Sequence, residues 1–205
     1  MRLWSKSDIL RSLNSNEPDT LGLDPMLDEA SQVGEVSVDL RLGCDFLVSI
    51  LTRKPFIALA GPDAERRAVE TYFQFTRRDL GDRFMLYPGQ TALSTTLEYV
   101  SLPTSVYADL FTRSSFNRLG IHLSTALQPG FRGAASLELV NHGNNPVELV
   151  VGSRIVQARF FELADRTPYG QGRKYYGDVR PTVSKAARDG DLLQLDEVRK
   201  SRFEH

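Results

Sequence analysis

The chain has 205 residues, enough for one generous domain, and its 25 Lys and Arg residues against 26 Asp and Glu give a formal net charge of -1. With 41% hydrophobic and 25% charged residues, the composition is that of a soluble globular protein, which excludes disorder and collagen-like or fibrous structure. The balanced charge also excludes a general nucleic-acid binder, which carries a basic excess, whereas a small anionic ligand needs only a few well-placed cations.

Membrane and zinc-binding classes are excluded next. No stretch of the sequence approaches the roughly 20 consecutive apolar residues that span a bilayer, and the first residues lack an apolar signal-peptide core, so we expect a cytoplasmic protein without a membrane partner. The single cysteine, Cys44, forbids an intrachain disulfide and a multi-cysteine metal site. His122, His142 and His205 are scattered and match no zinc-binding pattern, so we expect no zinc.

The first predicted element is a short helix. Ser5 is placed to cap this helix, and Asp8 follows at the capping-box spacing before an apolar stripe. Residues 14–34 carry Asn, Pro, Gly and Asp at short intervals, which predicts a long surface connection.

Most of the remaining chain is predicted to form strands. Apolar and polar residues alternate from Val36 to Leu42, as in a half-buried strand. Turn signals separate further candidate strands, at residues 46–51, 72–75, 83–86, 90–97, 107–112, 134–141, 147–151 and 155–161. Residues 61–71 are an insertion with one or two helical turns, and periodicity ends at Asp165. This pattern favours a mainly β fold, a sandwich or a barrel.

The segment 113–120, Arg-Ser-Ser-Phe-Asn-Arg-Leu-Gly, is the richest in candidate binding groups. Either serine can cap a helical turn that Gly120 ends, and Arg118 shares a face with Ser114, four residues earlier. Arg113 falls at the end of the preceding strand. The segment outlines an anion-binding site, and the alternative is a capped turn with solvated arginines.

A strand carboxylate and a basic tail are two further candidates. Glu138 stands between two leucines in a predicted strand and projects from the opposite face. Burial would raise its pKa unless a cation such as Arg118 offset the shift, and a tunable pKa suits general acid–base catalysis. The alternative is a solvent-facing residue.

In the tail, Tyr169 and Lys174 belong to an arm able to close over phosphates, with a solvated tail as the alternative.

Several segments together resemble the trimeric dCTP deaminase and dUTPase superfamily, and its dCTP deaminase branch in particular. In chain order the matching motifs are Ser-Val-Asp-Leu-Arg-Leu-Gly at 37–43, Tyr-Pro-Gly at 87–89, Thr-Leu-Glu-Tyr-Val-Ser-Leu-Pro at 96–103, Arg-Ser-Ser at 113–115, Arg-Leu-Gly at 118–120, Pro-Gly-Phe-x-Gly at 129–133, Leu-Glu-Leu-x-Asn at 137–141, Gly-x-x-Ile-x-Gln at 152–157, Phe-Glu-Leu at 161–163 and Lys-Tyr at 174–175. The resemblance covers roughly residues 1–185. We therefore expect a dCTP deaminase-like β domain at 1–185 and a C-terminal tail at 186–205.

The resemblance implies a distorted antiparallel β-barrel of jelly-roll, dUTPase-like type with short peripheral helices, assembled as a homotrimer with active sites between subunits. The implied activity is zinc-independent hydrolytic deamination of dCTP to dUTP, with Mg²⁺ held through the triphosphate and not by protein ligands. Glu138 would be the general base, Ser114 and the Ala126 carbonyl would position the attacking water, and Arg118 would hold both. The implied substrate-binding residues are Arg113, Ser115, Gln128, Tyr169, Lys174 and Asp178.

The sequence departs from the family pattern in two places. The stretch 121–128 is shorter than the usual base-recognition hairpin, and Gln128 replaces an Asp that contacts the sugar 3'-hydroxyl. Asp178 stands where the family has Gln, either as a repulsive neighbour of phosphate or as an extra magnesium contact. Two alternative functions follow, a dUTPase-like or bifunctional nucleotide pyrophosphatase and a non-catalytic nucleotide-binding trimer.

Overall fold

The structure is a computed structural model of the single chain and describes residues 1–53, 56–59, 68–166, 175–186 and 190–203. The chain forms two compact units, the first made of Met1–Val48 and Phe75–Thr182 and the second of Ser49–Gln74 and Val183–His205. Within the described ranges, no helix has the length and apolar character needed to cross a membrane. The predicted division at residue 185 stays a prediction.

The described residues form thirteen short to medium strands and few helices. The strands are β1 (Arg2–Leu3), β2 (Gly22–Asp24), β3 (Val38–Arg41), β4 (Asp45–Ser49), β5 (Phe73–Arg77), β6 (Arg83–Leu86), β7 (Thr91–Ser101), β8 (Val106–Thr112), β9 (Ile121–His122), β10 (Ser124–Leu127), β11 (Arg132–Asn141), β12 (Val147–Val150) and β13 (Arg154–Glu162). The helices are α1 (Lys6–Leu13), α2 (Glu29–Gln32), α3 (Ser114–Asn117) and α4 (Gly190–Phe203), with a 3₁₀ turn at Val69–Tyr72.

Two antiparallel sheets and one ribbon organise these strands. The first sheet has the order β1-β13-β8-β10, with β3 also pairing with β13, and the second has the order β5-β4-β7-β11-β9, with β2 also pairing with β7. β12 and β6 form the two-stranded ribbon. The inward side chains form a core whose largest fully buried members include Leu40, Phe46, Leu110, Leu137, Leu139 and Phe160. The predicted mainly β fold is confirmed.

Local sequence signals account for several element boundaries. The predicted capping box is present at the start of α1, where Ser5 Oγ accepts from Asp8 N at 3.4 Å and Asp8 Oδ2 accepts from Ser5 N at 3.0 Å. The predicted surface connection at 14–34 contains β2 and α2, and the helix α4 occupies much of the tail, where the sequence shows no periodicity. Residues 61–67 of the predicted insertion lie outside the described residues.

A buried polar network joins α2, β3 and β7. Glu98 is fully buried, and its carboxylate accepts from Gln32 Nε2 at 3.0 Å and from Arg41 N at 2.9 Å. Arg41 Nε in turn donates to Gln32 Oε1 at 3.1 Å. Burial raises the pKa of Glu98, and these hydrogen bonds oppose the rise because they stabilise the ionised form.

Candidate active site

The guanidinium group of Arg113 is held on two sides and open on a third. Its Nε lies 2.9 Å from Asp39 Oδ2, and its Nη1 donates to the Arg154 carbonyl at 3.0 Å. The Arg113 backbone N also donates to the Ile155 carbonyl at 2.9 Å, which fixes the residue against β13. Across the described ranges, Nη2 has no hydrogen-bond partner. Arg113 therefore presents one pair of N–H donors to an incoming anion.

The serines of the Arg-Ser-Ser motif occupy the first two positions of α3. The helix begins earlier than a cap at either serine would place it, because Arg113 itself is the N-cap residue, and no side chain caps the helix. The prediction that Ser114 or Ser115 provides the cap is wrong. Both serines are exposed, and Gly120 ends the turn as predicted, with a φ of +88°.

A close backbone contact joins the segment after α3 to the end of β11. His142 N donates to the Gly120 carbonyl at 2.8 Å. A Cβ atom on Gly120 would lie 2.5 Å from Gly143 N, closer than real side chains approach backbone atoms. β9, just after Gly120, also pairs with β11, with His122 opposite Val140. This packing ties the segment that carries Arg118 to the strand that carries Glu138.

Glu138 lies on β11 as the strand pattern predicted. Leu137 and Leu139 are fully buried, whereas Glu138 points to the opposite face and is exposed in the single chain. The surrounding protein nevertheless displaces enough water to raise the pKa of this carboxyl, and the backbone N–H of Glu138 partly opposes the rise. In the described residues of one chain, no ion pair or hydrogen bond joins Arg118 to Glu138, so the offset by Arg118 stays a prediction.

The remaining predicted site residues are spread over three segments. Ala126 is exposed on β10, opposite Asp109 of β8, and Gln128 is exposed in the turn that follows, where its carbonyl accepts from Phe131 N at 3.0 Å. Tyr169 and Lys174 lie outside the described residues.

Asp178 is anchored beside the start of β11. Its carbonyl accepts from Ala134 N at 2.9 Å, and Gly177 N donates to the Arg132 carbonyl at 2.8 Å. The Asp178 carboxylate accepts from the Thr182 hydroxyl at 3.3 Å, four residues later in the same segment. The side chain that distinguishes this chain from the family pattern is thus engaged within its own segment.

Two residues near the site were given no role by sequence reasoning. Asp39, which holds Arg113, lies in the Ser-Val-Asp motif but is far from Arg113 in the chain. His122 shares the outward face of the β9–β11 pair with Glu138, and its ring meets that of His142 edge-on with centroids 5.1 Å apart. No local sequence pattern reports either juxtaposition, because both depend on strand pairing.

Metal-binding groups are sparse. Across the part of the chain that the structure describes, no group of three or more His, Cys, Asp or Glu side chains is arranged to hold a metal ion. Cys44 is partly buried, and burial raises the pKa of its thiol, which disfavours the thiolate that metals bind.

Comparison with known proteins identifies the family. A family model described as dCTP deaminase-like matches residues 4–163. The chain belongs to this dCTP deaminase-like family. The resemblance found in the sequence motifs is therefore confirmed, and the matched range contains Asp39, Arg113, Arg118 and Glu138.

Relatives of similar length support membership in the dCTP deaminase-like family. A dCTP deaminase from Natronomonas pharaonis is 39% identical over 198 residues, which cover 93% of this chain and 97% of the relative. A dCTP deaminase from Haloarcula marismortui is 40% identical over 198 residues, with the same coverage. A protein named dCTP deaminase, dUMP-forming, from Methanothermobacter thermautotrophicus is 35% identical over 200 residues, which cover 94% of this chain and 98% of the relative.

A solved structure confirms the fold. The crystal structure of 2'-deoxycytidine 5'-triphosphate deaminase from Agrobacterium tumefaciens superposes with a TM-score of 0.56 at 24% identity. The match covers 77% of this chain and 47% of that chain, so the present chain spans about half the length of the solved one. The fold of the dCTP deaminase-like family is thus common to both.

Proposed function

We propose that this protein is a dCTP deaminase, which hydrolyses dCTP to dUTP and ammonia without zinc. The observation that carries the proposal is Glu138, a strand carboxylate with a raised pKa on the outward face of β11 in a chain of the dCTP deaminase-like family. A carboxyl whose pKa is shifted toward neutrality can both accept and return a proton near physiological pH. Such a group is what hydrolytic deamination requires.

The proposed chemistry uses Glu138 as a proton shuttle. Glu138 accepts a proton from a water whose oxygen forms a bond to C4 of cytosine, and it delivers that proton to ring N3. The second water proton then passes through the carboxyl to the exocyclic amine, the C4–N4 bond breaks and ammonia leaves, which generates the 4-oxo group of uracil. Ser114 and the Ala126 carbonyl position the water, and Arg118 stabilises the ionised Glu138. General acid–base action of this kind contributes roughly 10²- to 10⁴-fold.

The proposed triphosphate site is centred on Arg113. Its open Nη2 and the exposed hydroxyl of Ser115 supply donors for phosphate oxygens, and Lys174 adds a second cation. Mg²⁺ bound with the nucleotide would neutralise part of the charge on the triphosphate. A magnesium ion that arrives with the nucleotide would leave Arg113 and Ser115 to bind the remaining phosphate oxygens.

The proposed active unit is a homotrimer with sites between subunits. Ser114, Ser115, Arg118, Ala126 and Glu138 are all exposed in the single chain. A deaminase must exclude bulk water from its reacting groups, because electrostatic stabilisation is stronger in a closed site. A neighbouring subunit that covers these residues would provide that closure.

A second candidate function is a bifunctional enzyme that converts dCTP to dUMP. The relatives that cover nearly the whole chain are 34–40% identical to it and carry two names. Some are named "dCTP deaminase", and others are named "dCTP deaminase, dUMP-forming". Such an enzyme would consume two water molecules for each dCTP and release both ammonia and pyrophosphate.

The deciding experiment measures ammonia and pyrophosphate in parallel. The purified protein is incubated with Mg²⁺ and, separately, dCTP, dUTP, CTP and UTP. Ammonia from dCTP without pyrophosphate supports the deaminase, and release of both products from dCTP supports the bifunctional enzyme. Pyrophosphate from dUTP with no ammonia from dCTP would contradict deamination. Nucleotide binding without either product would indicate a binding protein.

A further inference from the structure

Asp39 and Arg113 come from distant parts of the chain and meet across one strand. β13 lies between β3 and β8, so that Gln157 of β13 is opposite Asp39 on one side and Phe111 on the other. Arg113 follows the end of β8 and extends over β13, with its Nε 2.9 Å from Asp39 Oδ2. The ion pair therefore fixes the direction of a side chain that would otherwise extend freely from the strand end.

The contacts on Arg113 leave one direction open. The Asp39 carboxylate contacts Nε of Arg113, and the Arg154 carbonyl accepts from Nη1. The Arg113 side chain nevertheless keeps 32% of its surface exposed. A guanidinium group is planar, so two fixed nitrogens determine where the third points. Nη2, which has no partner among the described residues, is thereby held in one orientation.

Two arginines lie beside the Asp39 carboxylate. Arg154 Nη1 lies 3.9 Å from the same Asp39 oxygen, so two guanidinium groups face one carboxylate. Burial raises the pKa of Asp39 above its ordinary value, although Arg113 and Arg154 act in the opposite direction. One aspartate can therefore orient Arg113 without cancelling the attraction of the site for an anion.

We propose that Asp39 is a positioning residue for substrate binding, which aims Nη2 of Arg113 at the triphosphate. This inference rests on the proposed function, because it assumes that Arg113 binds the phosphates of the substrate. Without Asp39 the guanidinium group samples several rotamers, and each substrate molecule must then select the productive one.

The direction in which triphosphate affinity changes when Asp39 is removed separates positioning from a simple charge effect. If Asp39 were only a nearby negative charge, its removal would strengthen the binding of a triphosphate, since a repulsion would be lost. If Asp39 positions Arg113, its removal weakens binding although the site becomes more positive. The two roles therefore predict opposite changes.

The experiment compares Asp39→Asn with the wild type in the presence of Mg²⁺. We expect the KM for dCTP to rise about tenfold with kcat changed little, because a misplaced binding group costs one to two orders of magnitude. Inorganic tripolyphosphate binding, measured by calorimetry, should weaken by a similar factor. In an Arg113→Ala background, Asp39→Asn should not weaken dCTP or tripolyphosphate binding further, because the two residues act as one unit.

A matched variant controls for loss of stability. Asp19→Asn removes another partly buried carboxylate, which accepts from Thr104 N at 2.8 Å and Thr104 Oγ1 at 2.6 Å. We expect this variant to lower the melting temperature while leaving the KM for dCTP unchanged. If Asp39→Asn does not fold, Arg113→Lys tests the same idea, because it keeps the charge and removes the planar geometry.

The outcomes distinguish this proposal from the proposed function. A wild-type protein that neither deaminates dCTP nor binds tripolyphosphate contradicts the proposed function. A wild type that does both, with an Asp39→Asn variant that binds tripolyphosphate equally or more tightly, contradicts only the positioning role. The positioning role would also be contradicted if Asp39→Asn changed tripolyphosphate affinity equally in the wild-type and Arg113→Ala backgrounds. If Arg113→Lys is the variant used, unchanged affinity contradicts the role.

Discussion

Gly120 and Gly143 approach each other so closely that neither has room for a side chain. A Cβ on Gly120 would lie 2.5 Å from Gly143 N, and a Cβ on Gly143 would lie 2.9 Å from the Leu119 carbonyl. The contact sits between the segment that carries Arg118 and the end of the strand that carries Glu138. The relative position of these two segments within the chain thus depends on two glycines that have no chemistry of their own.

Gly120→Ala tests the structural importance of this contact. The residue has a φ of +88° and would clash with backbone, so we expect the free energy of unfolding to fall by more than about 2 kcal/mol. Urea denaturation measures this change. The variant should also lose kcat/KM for dCTP, because α3 must move away from β11.

Gly81→Ala is the matched control, since Gly81 has the same φ of +88° and a Cβ added there would meet nothing within 4 Å. Only the left-handed strain applies at this position, and we expect a loss of about 1 kcal/mol. Equal losses of unfolding free energy in the two variants would show that the Gly120–Gly143 contact adds nothing to stability.

The elements predicted well from the sequence are those with local signals. The capping box at Ser5 and Asp8 marked the start of α1, and the strand predicted at 83–86 has the bounds of β6. Several of the missed strands depend on distant partners. β1 has two residues and is a strand only because Phe161 and Glu162 of β13 lie opposite them.

The same distinction holds for the candidate site. The 113–120 segment and Glu138 were recognisable because a turn and a strand carry local patterns. The pairing of Asp39 with Arg113 was not predicted, because it arises from the shared neighbour β13. Motif membership pointed to Asp39 but carried no information about which side chain it holds.

The buried Glu98 predicts a pH dependence of stability. Its folded-state pKa is raised by burial, so the folded protein binds more protons than the unfolded chain between the two pKa values. The contribution of Glu98 to stability is therefore greatest at pH below about 4.3, the ordinary Glu value, and declines as pH rises through the folded-state pKa. Glu98→Gln removes this dependence.

We expect Glu98→Gln to be less destabilised relative to the wild type at pH 7 than at pH 4. An amide replaces one acceptor with a donor facing Gln32 or Arg41, so some destabilisation persists at both values. Urea denaturation at the two pH values makes the measurement. A destabilisation that grows with pH would mean that Glu98 has a lowered pKa.

The proposed oligomer is tested by light scattering. We expect the native mass to equal three chains of 23.0 kDa each, because the exposed candidate residues need a neighbour to close the site. The measurement is made on the active protein at the assay concentration. A fully active monomer would contradict sites shared between subunits.

We expect deamination to depend on magnesium and not on transition metals. Dialysis against phenanthroline, which removes zinc, should leave deamination of dCTP unchanged, whereas omission of Mg²⁺ should abolish it, because the triphosphate is bound with that ion. Elemental analysis of the active protein provides the check. Zinc bound in a one-to-one ratio with the chain would contradict the proposed mechanism.

The most direct test of the proposed function is Glu138→Gln, with ammonia release from dCTP and dCTP affinity measured on the same preparation. The amide keeps the size of the side chain but accepts no proton, so we expect ammonia release to fall by at least about 10²-fold and the Kd for dCTP to stay within a few fold. Glu148→Gln, which changes an exposed strand carboxylate paired with Arg83 on the β12–β6 ribbon, should retain full activity. Near wild-type ammonia release by Glu138→Gln would show that Glu138 is not the base.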